Sequence, residues 1–307
     1  MPEKGMTINY NSVSAVKAFL DKEGLGMRKK FGQNFLVNGD IRLRLVEALE
    51  EEGPSSGRRE EVWEIGPGLG AMTRLLLDRG FGVRAFEIDP GFVRALKILF
   101  RDDKDFTLVE GDVMKTWPSA SSASSARAAP LLLGNLPYNI AAALLADLIE
   151  KGRFFRRMVL TVQNEVALRA AARPGSSDYS SFSVLCSSVY TVRPLMLIRG
   201  ACFYPRPKVD SRGLALDLRA GVDANTYPPC FYPLVRGLFS SRRKMIKNNL
   251  RSFIAGAGRD AGEVCAELLG ASGLKGDERA ENLGLDDFLA LAKNLENMRI
   301  LGSFEGS

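Results

Sequence analysis

The strongest constraint in the sequence is a regular alternation that begins at residue 61. "EVWEI", "GVRAFEI" and "FTLVEG" are short apolar runs, and "AMTRLLLDRG" and "PGFVRALKILF" between them carry helical spacing. The same beat continues through the strand "PLLLG", a helix over "IAAALLADLIEK", the strand "RMVLTV" and a helix from about Asn164 to Ala172. Strands that alternate with helices fold into a parallel, doubly wound sheet, because each parallel return needs a crossover. Pro90 suits the first turn of its helix, and Gly80 the position just past the end of the preceding one. "VRPLMLIRG" and "RGLALDL" are later strand candidates. From about Arg219 helices and loops take over, so a larger domain over 1–218 and a smaller helical one over 219–307 are expected.

Ahead of the alternation a short helix is expected around Val13 to Lys22. A second should start at Asp40 as N-cap, with Ile41, Leu45, Ala48 and Leu49 on one face. "GPSSGRRE" reads as a loop, and the small, low-complexity stretch "SASSASSARAA" (119–129) as a mobile surface loop.

Composition narrows the chemistry. Among 307 residues there is no histidine, which removes Ser-His and Cys-His nucleophilic schemes and most zinc hydrolases. Cys186, Cys202, Cys230 and Cys265 form no C-x-x-C pair and suit reduced thiols in a cytosol. The N-terminal stretch "MPEKGMTINYNSVSAV" has no apolar core of signal-peptide length, so a cytoplasmic location is expected, with no membrane span and no metal. The net charge of +6 is a mild pointer to a polyanionic partner; charge alone fits a basic solvated surface equally well.

Two places carry chemistry. In "EIGPGLGA", Gly66 and Gly68 let the backbone turn tightly and approach a ligand, and Glu87, about twenty residues on, is placed for ribose hydroxyls. Gly66-x-Gly68-x-x-Ala71 also satisfies the dinucleotide fingerprint, so the loop indicates an adenosine-type cofactor without saying which. Asp112, in "EGDV", can accept from an adenine amino group, which favours S-adenosylmethionine; a turn-forming Asp is the plainer reading.

The second place is "GNLPYNI", after the fourth strand of the alternation. An exocyclic amine on a purine is a poor nucleophile because its lone pair is delocalised. The Asn135 side-chain oxygen and the Leu136 carbonyl can accept its two hydrogens and favour a pyramidal nitrogen. Tyr138 offers a face for an extruded base, worth roughly 1–3 kcal/mol. A sulfonium donor is already activated, so alignment carries most of the rate and no histidine is needed.

The chain resembles the KsgA family of ribosomal RNA adenine dimethyltransferases over nearly its whole length. The residues that carry the likeness are "KKFGQNFL" (29–36), "EIGPGLGAMT" (64–73), "EIDP" (87–90), "EGDV" (110–113), "GNLPYNI" (134–140), "FYPRPKVDS" (203–211) and "RRKMIKNNL" (242–250). The resemblance implies a Rossmann-like class I methyltransferase fold (α/β) with a smaller C-terminal α-helical domain. It implies a site for S-adenosyl-L-methionine made of Gln33, Asn34, Leu36, Gly66, Gly68, Glu87, Ile88, Asp112, Val113 and Asn135. Phe203 would stack on the far side of the target adenine from Tyr138, unless it is simply a core phenylalanine. The implied product is N6,N6-dimethyladenosine at two adjacent adenines in the 3′-terminal hairpin of small-subunit (16S) ribosomal RNA. The implied partner is that RNA within a 30S or pre-30S particle, met by a monomer that also serves subunit biogenesis. "YPRPKVDS" and the long helical C-terminal region favour this family over the related large-subunit methyltransferases of macrolide resistance.

Where the family often carries a Tyr-Gly-Arg-type segment, this chain has "DYSSFSV" with Ser180 and Ser181. Arg206 and Lys208, with Arg242, Arg243, Lys244, Lys247 and Arg251, are the RNA-binding candidates; Arg243, Lys247 and Arg251 share a face at helical spacing. Two competing classes stay open at this point. One is a binding factor that keeps the fold and little activity; the other, weaker, is a dehydrogenase.

Overall fold

A computed structural model describes residues 8–27, 32–50, 60–123, 131–138, 140–255 and 260–298. Two compact units divide them. The first takes residues up to Asp147, Phe155–Ala167 and Val192–Leu218; the second takes Leu148–Phe154, Leu168–Thr191 and the residues from Arg219 on. The second unit therefore includes 148–154 and 168–191 as well as the stretch after 218.

The chain opens with α1 (Val13–Lys22), capped by the Ser12 hydroxyl, which accepts from Ala15 N–H at 3.2 Å. A two-residue strand β1 (Phe35–Leu36) precedes α2 (Gly39–Glu50). Asp40 is not the cap of α2: Asn38 is, its Oδ1 accepting from Ile41 N–H at 3.0 Å, and Asp40 lies in the first turn, where its charge suits the helix dipole. The alternation then follows as β2 (Glu61–Ile65), α3 (Ala71–Asp78), β3 (Gly82–Glu87), α4 (Pro90–Leu99), β4 (Phe106–Glu110), α5 (Val113–Ala123), β5 (Leu131–Asn135), α6 (Ala141–Glu150), β6 (Arg157–Gln163) and α7 (Asn164–Ala170).

Part of the expected 119–129 loop is helix, since α5 runs to Ala123; residues 124–130 lie outside the described ones, as does most of "GPSSGRRE". Alanine is the best helix former and serine does not forbid a helix, so small-residue composition was a weak loop signal. Trp117 anchors α5 by donating from Nε1 to Asp147 Oδ2 at 2.8 Å.

A helix the sequence reading did not anticipate, α8 (Ser181–Val189), starts within "DYSSFSV", where Ser183 Oγ accepts from Ser180 N–H at 3.0 Å. The chain returns through β7 (Tyr190–Ile198), β8 (Phe203–Tyr204) and β9 (Ser211–Leu218). Seven strands form one sheet in the order β4-β3-β2-β5-β6-β9-β7. The pairs among β4, β3, β2, β5 and β6 are parallel, and β9 joins β6 antiparallel. β1 and β8 pair antiparallel on their own.

Both faces of the central strands are covered, as near-continuous apolar runs require. Val62, Val83, Leu131 and Val159 pack with Leu45, Leu49 and Leu76. Trp63 packs against Phe86 and Phe155, with ring centroids 4.8 and 5.4 Å apart.

The second unit is helical: α9 (Phe231–Leu238), α10 (Ile246–Ile254), α11 (Ala261–Ala271) and α12 (Leu285–Asn297) join α8 around Phe231, Leu234, Leu250, Leu268, Phe288 and Leu291. Buried Asn249 donates from Nδ2 to the Leu238 and Ser241 carbonyls at 2.7 and 3.1 Å, satisfying the end of α9. No helix among the described residues is long and apolar enough to cross a membrane.

Candidate active site

Strand register builds the site. Ile65 pairs with Phe86 on one side and Gly134 on the other, so Gly66, Glu87 and Asn135 emerge together at the carboxyl edge of the sheet. β2 is also where strand order reverses, β3 lying on one flank and β5 on the other, and ligands of such sheets bind in that crevice. A cavity of about 330 Å³ opens there, within the size range of small-molecule sites. Every residue expected at the cofactor site lines it: Gln33, Asn34, Leu36, Gly66, Gly68, Glu87, Ile88, Asp112, Val113 and Asn135.

The glycine loop holds its shape for stated reasons. Gly66 and Gly68 have φ of 69° and 60°, and a Cβ at Gly68 would lie 2.9 Å from Phe35 Cε1. The bare backbone lets Gly68 N–H donate to Glu87 Oε2 at 3.2 Å, while Asp89 N–H donates to Oε1 at 2.8 Å. Burial pushes the Glu87 carboxyl up to about 7, and these N–H donors counter only part of it. Glu64, wholly buried on β2, is likewise pushed to about 7, chiefly by burial; its Oε2 accepts from the Thr73 hydroxyl at 2.6 Å.

Asp112 both forms a local backbone bond and lines the cavity. Its Oδ1 accepts from Met114 N–H at 3.0 Å, a helix cap for α5, while the residue stays on the cavity wall. Beside it Ile88 is 42% exposed, an apolar surface at a strand end, and Val113 is buried. Gln33 donates from Nε2 to Asp89 Oδ2 at 3.1 Å, so Asp89, itself buried, orients a cavity side chain.

At the end of β5, Asn135 donates from Nδ2 to the Asn34 carbonyl at 2.7 Å. That bond fixes which way the amide points and leaves Oδ1 as an acceptor without a partner among the described residues. Leu136 is buried, and its N–H donates to the Thr161 carbonyl at 3.1 Å. The Tyr138 hydroxyl shares a 2.7 Å hydrogen bond with Ser211 Oγ, which orients a half-buried ring on the cavity wall, and burial raises the phenol pKa.

The family described as ribosomal RNA adenine dimethylase matches residues 24–295. The chain belongs to that family. Among its relatives, ribosomal RNA small subunit methyltransferase A of Treponema pallidum is 42% identical over 287 residues, covering 94% of this chain and 97% of its own. The protein of the same name from Treponema denticola is 43% identical, covering 92% and 94%. The fold is shared with a dimethyladenosine transferase from Plasmodium falciparum (TM-score 0.70, 23% identity, 85% of this chain and 96% of that one). It is shared also with the 23S rRNA methyltransferase ErmE (TM-score 0.59, 21% identity, 85% and 99%).

In this adenine dimethyltransferase Phe203 does not reach the cavity wall. β8 places it opposite Leu36, 5% exposed within the apolar cluster of the first unit, so the plainer reading of a core phenylalanine describes its position. Sequence could not separate the two, because a ring on a proline-rich loop suits either. Arg206 and Lys208 are exposed beyond β8. In the second unit Arg243 lies in the turn before α10, so the expected three-residue stripe is reduced to Lys247 and Arg251, one turn apart on the helix. Arg242 is engaged: it pairs with Glu281 at 2.6 Å and donates to the Ser177 carbonyl at 2.5 Å. Arg243 and Lys244 are exposed, and residues 29–31 of "KKFGQNFL" lie outside the described ones.

Sequence reasoning missed Tyr10, Arg42 and Phe92, which also line the cavity. No local motif marks them; only the fold brings the N-terminal segment, α2 and α4 to the sheet edge.

Proposed function

We propose that the cavity holds S-adenosyl-L-methionine, and that the chain methylates N6 of two adjacent adenines in the 3′-terminal hairpin of small-subunit (16S) ribosomal RNA. The observation that carries this reading is the Asn135 amide, turned by its bond to the Asn34 carbonyl so that Oδ1 is left to accept. The residues present fit the cofactor. Glu87, held by backbone N–H groups, takes ribose hydroxyls; Asp112 accepts from the adenine amino group; Ile88 and Val113 give it apolar faces; Gln33, Asn34, Leu36, Gly66 and Gly68 surround the remainder.

When bound, the sulfonium would supply an electrophilic methyl group and leave as the neutral thioether of S-adenosylhomocysteine, the methylated nitrogen then losing its proton to water. Asn135 Oδ1 and the Leu136 carbonyl accept the two hydrogens of the target amine, turn its lone pair out of conjugation and aim it. Tyr138, fixed by Ser211, stacks on the extruded base. Positioning of this kind supplies several kcal/mol without an acid or base, which suits a chain with no histidine. The substrate is RNA folded in a 30S or pre-30S particle, met in the cytoplasm by a monomer. Arg206 and Lys208, with Arg243, Lys244, Lys247 and Arg251 of the helical unit, contact its phosphates.

The test is methyl transfer from radiolabelled S-adenosylmethionine to small subunits from a strain lacking the modification. Label in N6,N6-dimethyladenosine of the 3′-terminal fragment is expected. Label elsewhere moves the target, and no label despite subunit binding makes the chain a binding factor.

A further inference from the structure

Arg42 is a cation in a costly place. It sits in the first turn of α2, close to the positive end of the helix dipole, and is 5% exposed. It forms no ion pair among the described residues, its Nε is buried without a partner, and burial lowers its pKa. Burying a charge costs free energy unless a partner charge or hydrogen bonds offset it. An ion pair therefore gives no reason for an arginine here.

Its hydrogen bonds give one. The guanidinium donates to the Leu36 carbonyl at 2.5 Å, to Asn11 Oδ1 at 2.5 Å and to the Tyr10 carbonyl at 3.4 Å, so one fork ties β1, α2 and the N-terminal segment together. Gly39 leaves room for this: a Cβ there would stand 2.6 Å from Asn11 Oδ1. Tyr10 in turn donates from its hydroxyl to the Leu69 carbonyl at 2.8 Å, one residue beyond Gly68. Tyr10, Leu36 and Arg42 all stand on the cavity wall.

We propose that Arg42 is a positioning residue that clamps Tyr10 and Asn11 against the glycine loop as one wall of the cofactor cavity, and so sets cofactor affinity rather than the chemical step. This rests on the reading that the cavity holds S-adenosylmethionine. The fork does the work: its two terminal nitrogens reach acceptors on two separate segments from one rigid plane, a spread that a compact ammonium lacks.

The test uses the full chain and its Arg42→Met, Arg42→Lys, Asn11→Ala and Arg42→Met/Asn11→Ala variants. Calorimetry with S-adenosylhomocysteine gives cofactor affinity, and steady-state methylation gives KM for the donor and kcat. Arg42→Met and Asn11→Ala should each raise Kd and donor KM about tenfold, the loss expected for one disrupted buried polar network. Their double variant should be little worse than either, Arg42→Lys should fall between, and kcat at saturating donor should hold within about twofold. Unchanged Kd in folded Arg42→Met, or a fall in kcat with Kd unmoved, overturns the clamp. Should Arg42→Met fail to fold, Asn11→Ala and Tyr10→Phe leave the charge in place, and unchanged Kd in both overturns it equally. If the wild-type chain does not bind S-adenosylhomocysteine, the cofactor reading falls and the clamp with it.

Discussion

As the proposed ribose acceptor, Glu87 would serve two opposed demands. Burial makes its ionised form expensive, yet ribose hydroxyls need a carboxylate to donate to, and the N–H groups of Gly68 and Asp89 hold it ready. Its pKa is raised from 4.5 to about 7, so between those values the folded protein holds a proton the unfolded chain has lost, and this group's contribution to stability falls as pH rises through the window. Cofactor affinity runs the other way. The Kd of S-adenosylhomocysteine should tighten as pH rises through about 7, and Glu87→Gln should flatten the profile; a flat wild-type profile contradicts the role. Glu64, similarly raised, and Asp89 face the same region and are unchanged in that variant. At this scale the cavity residues were legible because loop, acid and asparagine each end a strand in the alternation. Arg42 and Tyr10 were not, since nothing within ten residues of either predicts which elements it will touch.

Among elements, the sheet could be read and its edges could not. Five parallel strands and their crossover helices follow from period and turn residues. The antiparallel insertion of β9 follows from a pairing between segments some fifty residues apart, which no window reports. The two-residue pair β1–β8 is shorter than any periodic signal, yet it decides that Phe203 packs inward opposite Leu36. β1 also presents Phe35 to the glycine loop, which yields a prediction. Gly68→Ala places a methyl 2.9 Å from the Phe35 ring at a φ of 60°, so it should destabilise the fold by about 1–2 kcal/mol and weaken cofactor binding. Chemical denaturation and calorimetry check both, and a variant of wild-type stability and affinity would count against the tight loop.

Across the whole molecule, the first unit carries the cavity at its sheet edge, and the helical unit carries a basic helix around its own core. The basic cluster was visible in the sequence. Its division of labour was not, because Arg242 pairs with Glu281 and Arg243 precedes the helix. Lys247 and Arg251 remain exposed or half-buried on one face of α10, with buried Leu250 and Ile254 beneath. Lys247→Ala with Arg251→Ala should weaken subunit binding and make its salt dependence shallower, by up to about 1.5 in log–log slope for two lost phosphate contacts. An unchanged slope would place the RNA elsewhere.

Asn135 is the point where these scales meet, since β-sheet register delivers it and the Asn34 carbonyl turns it. The most direct measurement is the single-turnover rate of methyl transfer by Asn135→Ala to unmodified small subunits, with cofactor affinity measured on the same protein. The account predicts a rate lower by about a hundredfold or more, comparable to removing one oriented polar group from a catalytic site, with affinity for S-adenosylhomocysteine largely kept. Transfer at the wild-type rate would contradict it, and the amine would have to be held by something other than this amide.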